Sequence, residues 1–374
     1  MMSDVVINTG KHMSKKIASA KKKVLFFTQA NVGGAERMTV NIAKMLPRDE
    51  YDVVFCLISL WNHKSGKSTI RDFIPDSMQI SEIQIENRFD YLRKLYKKMR
   101  ETKPDYVFCS TMPNNRRILM LSPLIRKCKF IVRNDNYLFT LPRYKKLAIS
   151  LSYRLADRIV AQTEEMGEEF AAVGIDRKKI CVLHNPVETE IIRQKATEYN
   201  PYEDYRDTVN YAAVGRFAHQ KGYDLLVRAF ADVLKSNENS ELWIVGDDRS
   251  DGGQIRNDIE NYGCSMGFLD KIHFVGYTPN PYPYIANADC FVLSSRYEGL
   301  PNVLVESLTL GTPAAAFGCI PIIGRIINEG VNGFVAKPED PESLAKAMAD
   351  ASQLGKIKSG YHPARKEQFI ELFR

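Results

Sequence analysis

The sequence predicts an α/β protein made of two doubly wound parallel sheets. Three observations predict it. Short apolar β-type runs alternate with helical patterns, as in parallel sheets whose strands are joined by helices. The alternation halts at a polar stretch, TEYNPYEDYRDT, and begins afresh after it. A chain of 374 residues also exceeds what one ordinary core organises, which makes two domains the natural division.

In the first half, strands are expected at KVLFFTQ, YDVVFCLIS, DYVFCS, KFIVRN, DRIVAQT and KICVLHNP, with helices between them, notably over 35–46 and 91–100. The second half starts with VNYAAVGR and continues through ELWIVGDD, KIHFVGYT, DCFVLSS, TPAAAFG and GFVAKP. The expected organisation is a polar N-terminal extension over 1–20, a first domain over 21–190 and a linker over 191–209. A second domain follows over 210–355, then a helical tail over 356–374 that can cross back to the first domain.

An apolar content of 44% with 26% charged residues belongs to a globular chain rather than a disordered one. No apolar run approaches the roughly 18 residues of a membrane span. The first apolar run, VLFF, is too short for a signal-peptide core, so a cytoplasmic location is expected. Seven cysteines without a C-x-x-C pair read as buried free thiols, not disulfides or a zinc site. Charge is uneven: residues 1–190 hold 33 Lys+Arg against 21 Asp+Glu, and the remainder 19 against 24. A basic first domain suits an anionic surface or substrate.

The most informative segment is SRYEGLPNVLVESLTLGTP, from Ser295 to Pro313. Glu298 falls in the loop after an apolar strand, Pro301 fits the first position of a helix, and Gly311 closes that helix. The free N–H groups of Asn302 and Val303 favour an anion such as a diphosphate. Glu306, a turn further in, suits the hydroxyls of a ribose. The bland alternative is a pair of carboxylates placed near a helix N-terminus by the macrodipole.

Arg216 and Lys221, in VGRFAHQKGYD, follow the first strand of the second half. Both can converge on one diphosphate, Arg as a planar fork and Lys as a point charge. They would stabilise the charge that grows on a leaving nucleoside diphosphate. The alternative is two solvated surface cations. Gly33-Gly34 follow the first strand and precede a helix, where glycines let backbone approach a ligand, although a plain turn uses them equally well. No G-x-G-x-x-G fingerprint follows either first strand, which argues against a dinucleotide-dependent dehydrogenase.

Taken together, VGRFAHQKGYDLL, the EGLPNVLVE spacing, GGAERM and LHNPVE resemble the retaining glycosyltransferases of family four, from about Lys21 to Ala351. The resemblance implies the GT-B fold, two Rossmann-like domains facing a central cleft. The second domain would hold a nucleotide-sugar donor, with a UDP-sugar favoured, and the first would hold the acceptor. It implies that Arg216 and Lys221 bind the donor diphosphate, that Glu306 takes the ribose hydroxyls, and that Glu298 contacts the transferred sugar or its phosphate. It further assigns the backbone of Leu300, Asn302 and Val303 to the phosphates or sugar, Gly276-Tyr277 to the nucleobase, and Gly33-Gly34 to a loop near the diphosphate. Such enzymes work without a metal, and no other cofactor is expected. No Asp-x-Asp motif follows a strand, and adjacent Asp247-Asp248 make poor magnesium ligands.

The chain departs from its resemblance in two places. Arg133-Asn134-Asp135-Asn136 stands where relatives carry a histidine or a Glu-Arg-Asn run. Arg133 and Asn134 are expected to touch the acceptor, and Asp135 joins Glu298, Arg216 and Lys221 as a catalytic candidate. Arg325 stands near a position where relatives often have a glutamate, which bears on the sugar's identity.

YLRKLYKKMR, over 91–100, carries an apolar face and a basic one, and RKCK and RYKK add cations. Each Lys or Arg near an anionic membrane contributes about 1 kcal/mol of attraction, so peripheral contact with the inner face of the membrane is an expectation. For the helix itself, ordinary packing against its sheet is the stronger reading. His63, His184, His219 and His273 need no role beyond loops and caps. The resulting expectation is a retaining, metal-independent glycosyltransferase. It would move a hexose or N-acetylhexosamine to a lipid-linked or surface-glycan acceptor in polysaccharide biosynthesis, with no nucleic-acid partner. The alternatives are a nucleotide-sugar epimerase of the same fold or a non-catalytic glycan-binding subunit.

Overall fold

The computed structural model describes residues 20–31, 33–60, 69–139, 141–246, 252–358 and 364–374. His63 and Asp247-Asp248 lie outside the described residues. The first sheet contains β1 (Lys22–Gln29), β2 (Tyr51–Leu60), β3 (Gln79–Ile85), β4 (Tyr106–Cys109), β5 (Lys129–Arg133), β6 (Arg158–Ala161) and β7 (Ile180–Val182). Its order is β3-β2-β1-β4-β5-β6-β7, with every pair parallel. The second sheet contains β8 (Val209–Val214), β9 (Ser240–Val245), β10 (Ile272–Gly276), β11 (Cys290–Leu293), β12 (Ala314–Phe317) and β13 (Gly333–Ala336). Its order is β10-β9-β8-β11-β12-β13, again parallel throughout.

Each sheet grows outward from its first strand and then reverses, beside β1 in one and β8 in the other. Ligands of open α/β sheets bind at the carboxyl ends of strands flanking such a reversal. Helices cover both faces, so strands read as unbroken apolar runs; Val24, Leu25, Phe26 and Phe27 of β1 are all fully buried. The exception is β3, QISEIQI, an edge strand of alternating and largely polar residues. Its composition blunts an open edge and hides it from a search for apolar runs.

The helix expected over 91–100 spans Arg88–Thr102, with Asn87 capping it by accepting the Asp90 N–H at 2.9 Å. Its apolar face belongs to the core, for Tyr91, Leu95 and Met99 are buried there. The polar stretch between the domains is docked on the second domain. Tyr202 is buried, stands edge-on to Trp243 at 5.1 Å and donates its hydroxyl to the Tyr284 carbonyl at 2.7 Å. All seven cysteines are free thiols, and burial pushes those of Cys56 and Cys109 up to about 12. Among the described residues no helix is long and apolar enough to cross a membrane.

The chain ends back on the first domain. After the second-domain helix Pro341–Ser352, the short helix Lys366–Glu371 leads to Phe373, whose ring is fully buried. Phe373 lies 5.6 Å from the Tyr106 ring and 6.1 Å from those of Phe26 and Phe108, while Tyr51 donates to its carbonyl at 3.1 Å. Phe373→Ala is therefore expected to destabilise the first domain by about 3 kcal/mol. Urea unfolding followed by circular dichroism checks this, and an unchanged midpoint contradicts it.

Candidate active site

A cleft of about 640 Å³ opens between the two sheets. It is lined from the carboxyl ends of strands in both domains, including Thr111, Arg133, Gln162 and Asn185 on one side and Arg216, Gly246, Tyr277 and Glu298 on the other. Its size suits a ligand of nucleotide-sugar dimensions.

The second-domain wall is set by the loop after β8. Gly222 has φ +63°, and a Cβ there would lie 2.1 Å from the Ser294 carbonyl oxygen, so only glycine lets this loop rest on the end of β11. Arg296 clamps the same loop. Its guanidinium donates to Asp224 at 2.6 and 2.9 Å, to the His219 carbonyl at 2.9 Å and to Glu339 at 3.1 Å. Ser294 adds a hydroxyl bond to the Lys221 carbonyl at 2.8 Å. With its backbone fixed, Lys221 brings its ammonium to 2.7 Å from Glu298 Oε1, which also accepts from Ser295 Oγ at 2.7 Å. Arg216 stands exposed beside this pair on the cleft wall, near enough to Glu36 of the first domain to favour that carboxylate's charge.

The helix after β11 spans Asn302–Leu310, with Pro301 just ahead of it and Gly311 closing it at φ +84°. Its leading N–H groups have no intrahelical acceptor, and Leu300, Asn302 and Val303 all line the cleft. Glu306 also lines the cleft. Burial pushes its carboxyl up to about 7, partly offset by Arg37 from the first domain and by the Tyr282 hydroxyl. Too few partners hold its charge when no ligand is bound.

On the first domain, Gly33 and Gly34 open the helix Gly34–Met45. Glu36 folds back so that a Cβ on Gly33 would lie 2.3 Å from its Oε2, whereas the space where a Gly34 Cβ would stand is open. Arg133, at the end of β5, is buried and its Nη2 donates to Asn185 Oδ1. Burial lowers its pKa to about 10, opposed by Asp135 and Glu36. Asp135 is raised by burial and held down by Arg133, and its Oδ1 has no hydrogen-bond partner. The domains touch here: a Cβ on Gly299 would lie 2.1 Å from the Asp135 carbonyl, and Asn185 donates to Asn302 Oδ1 at 2.5 Å.

Most of the expected residues line this cleft, but Asn134, Gly276 and Arg325 do not. Asn134 is fully buried and absent from the lining. It donates to the Asn136 carbonyl, accepts from Tyr153 at 3.1 Å and braces the loop, so its side chain does not reach the cleft. Side chains alternate along an extended segment, and with Arg133 and Asp135 facing the cleft the residue between them turns away. Arg133 itself reaches the cleft from a buried seat on Asn185 rather than as an open arm. Gly276, the last residue of β10, has φ +78° and precedes Tyr277, which is exposed in the lining, while Gly276 stands outside it. Arg325 also stands outside, bound to Glu165 of the first domain at 2.6 Å. Glu36, Arg37, Asn185 and Tyr282 join the site unanticipated. The first three lie in the quoted segments GGAERM and LHNPVE, but nothing local assigns them a role.

Sequence comparison matches residues 32–191 to "Glycosyltransferase Family 4" and 200–365 to "Glycosyl transferases group 1". Fold and sequence thus define a two-domain glycosyltransferase of the GT-B type. The chain belongs to glycosyltransferase family four. One relative, the lipopolysaccharide core biosynthesis glycosyltransferase LpsE of Rhizobium meliloti, is 26% identical over 331 residues, 87% of each chain. The N-acetylgalactosamine-N,N'-diacetylbacillosaminyl-diphospho-undecaprenol 4-alpha-N-acetylgalactosaminyltransferase of Campylobacter jejuni is 24% identical over 265 residues, 69% of this chain and 67% of that protein. Among solved structures, Anabaena HepE in complex with UDP and glucose superposes with a TM-score of 0.75 at 17% identity, covering 94% of this chain and 98% of that one.

Glu306 gives the site a pH signature. Its carboxyl binds a proton more tightly folded, at about 7, than unfolded, near 4.5. The stability it contributes is complete below the lower value and is lost as pH rises through the upper one. Relative to the native chain, Glu306→Gln without nucleotide should therefore gain stability between about pH 5 and about pH 8, by at most about 3 kcal/mol. Urea midpoints at the two pH values check this, and a difference that does not change with pH contradicts it.

Proposed function

We propose that this chain is a retaining, metal-independent glycosyltransferase. It takes a hexose or N-acetylhexosamine from a nucleoside-diphosphate sugar, UDP-linked by preference, and adds it to a lipid-linked or surface glycan. The observation that carries the reading is that Lys221, Glu298, Arg216 and Glu306 all line one cleft, with Lys221 and Glu298 in direct contact. The relative that acts on a diphospho-undecaprenol glycan and the neighbour bound to UDP support the acceptor and donor classes.

In this reading the diphosphate lies against the Asn302–Leu310 helix N-terminus, where Lys221 exchanges part of its contact with Glu298 for a phosphate oxygen. Arg216 binds the same group across the loop. Glu306 accepts hydrogen bonds from the ribose hydroxyls, which supply the partners its charge lacks in the empty cleft. Glu298, held by Ser295, then faces the sugar. The bond between the anomeric carbon and the leaving phosphate oxygen breaks, and the acceptor oxygen bonds to that carbon from the same face. The acceptor's proton passes to the departing phosphate oxygen. Lys221, Arg216 and the helix dipole stabilise the charge growing on that phosphate, the work a divalent cation would otherwise do. Asp135, half-buried on the first-domain wall with one oxygen unpartnered among the described residues, serves as an acceptor for a sugar hydroxyl.

Lys221→Ala should lower the transfer rate by about 10² to 10³ while leaving the melting temperature without ligand within a few degrees. Native activity should persist in EDTA. Radiolabelled sugar transfer to an isolated glycolipid fraction checks both; full activity in the variant or complete loss in EDTA contradicts the assignment.

A further inference from the structure

The proposed chemistry leaves the two charged residues of GGAERM, Glu36 and Arg37, without a task. Both sit near the start of the helix Gly34–Met45, both line the cleft, and each faces an opposite charge from the second domain. Arg216 lies close enough to Glu36 to favour its charge, and Arg37 does the same for Glu306. Helix stability does not account for Arg37, since a cation near a helix N-terminus opposes the macrodipole.

Arg37 is held from both sides of the cleft. Its guanidinium lies over the ring of Phe73, from the short turn Ile70–Phe73 of the first domain, at 5.0 Å. Such a seat fixes the plane of the group and leaves its N–H edges available. Arg37 donates to the hydroxyl oxygen of Tyr282, which opens the second-domain helix Tyr282–Asn287, and that hydroxyl donates in turn to Glu306. Three polar groups therefore form a chain that crosses from one domain to the other, with the buried Tyr282 as its middle link. Few other charges bear on Glu306. From the neighbouring helix Thr189–Ala196, Glu188 at its head acts on Tyr282, and Lys195 lines the same cleft. Strands β11 and β12 beneath contribute no charged side chain.

We infer that Arg37 is a positioning residue for the donor's ribose: through Tyr282 it presents Glu306 as a carboxylate to the ribose diol, so that both domains, not the second alone, hold that sugar. This rests on the ribose role of Glu306 given above. A charged carboxylate accepts hydrogen bonds on both oxygens, whereas a protonated one keeps an O–H that cannot accept from a diol. Arg37 acts through Tyr282 and Glu306 and needs no contact with the phosphates. The rival role, a further cation on the diphosphate, differs in one respect: it would not depend on the ribose hydroxyls.

The tightest-binding of uridine, guanosine, adenosine and cytidine diphosphates is titrated calorimetrically against the full chain, beside its analogue lacking both ribose hydroxyls. At about pH 7 the native chain should favour the ribose form by at least about tenfold. In Arg37→Gln that preference should fall at least about fivefold, while the analogue binds within about twofold of native. Arg37→Lys, which keeps the charge, should retain most of the preference. Without Arg37 the Glu306 carboxyl holds its proton to a pH above its present value of about 7. The preference lost in Arg37→Gln should therefore return as pH rises to about 9. Comparison with the analogue cancels the titration of the nucleotide's own phosphates. Tyr282→Phe removes only the bridging hydroxyl, should narrow the preference too, and decides the matter if Arg37→Gln melts early. A loss shared equally by the analogue would make Arg37 a phosphate ligand and overturn the inference, as would an unchanged preference in the folded variant. Equal binding of the two forms by the native chain contradicts the ribose role of Glu306, and no binding of any diphosphate contradicts the cleft reading. Either result overturns this inference too.

Discussion

The site depends on one ion pair, Lys221 with Glu298, and on what forces those two side chains together. Neither residue would hold the other by charge alone, since a partly solvated pair contributes little to stability. Their meeting is imposed by backbone: Gly222 against the end of β11, Arg296 spanning Asp224, the His219 carbonyl and Glu339, and Ser295 holding the carboxylate. In effect the fold holds a lysine ammonium in the cleft and neutralises it with Glu298, and in the proposed function a donor phosphate would take over part of that contact. Binding then trades one anion for another with little reorganisation, which is how preorganised charge serves catalysis.

The opposite wall follows a different rule. Glu36 and Arg133 are buried beside the half-buried Asp135, each pushed by desolvation towards its neutral form and each partly rescued by an opposite charge. One oxygen of Asp135 and one nitrogen of Arg133 have no hydrogen-bond partner among the described residues. Buried polar atoms are normally satisfied, so orphans facing a cleft mark places where a ligand's hydroxyls complete the network. Gly299 and Asn302 bring the second domain directly against this floor, and Phe373 ties the chain's end to the first domain's core. The two walls are thus coupled through contacts that no single domain contains.

Much of this was readable from the sequence because it is local. The apolar runs of β1 and β12 stand out since both faces of each strand are covered, and the Glu298–Glu306 spacing spans less than one helix. β3 escaped because a solvent-facing edge strand needs polar residues. Asn134 sits outside the cleft that Arg133 and Asp135 line, because adjacency in sequence does not say which way alternate side chains turn. Arg37 and Tyr282 converge on Glu306 from separate elements, and only tertiary packing reveals that. The same limit applies to the two basic amphipathic helices of the first domain. YLRKLYKKMR and RYKKLAISLSY have similar patterns, yet the first buries its apolar face and the second leaves a stripe exposed.

The diphosphate is the group the proposed cleft chemistry most depends on, and calorimetry isolates its binding. The nucleoside diphosphate that binds best should be titrated against the native chain beside its own monophosphate. Lys221 and Arg216 should make the diphosphate bind at least about tenfold tighter, the yield of one charge-assisted contact. In Arg216→Gln that gap should narrow. Equal affinity for the two nucleotides would mean that these cations do not meet the phosphates and that the cleft works in some other way.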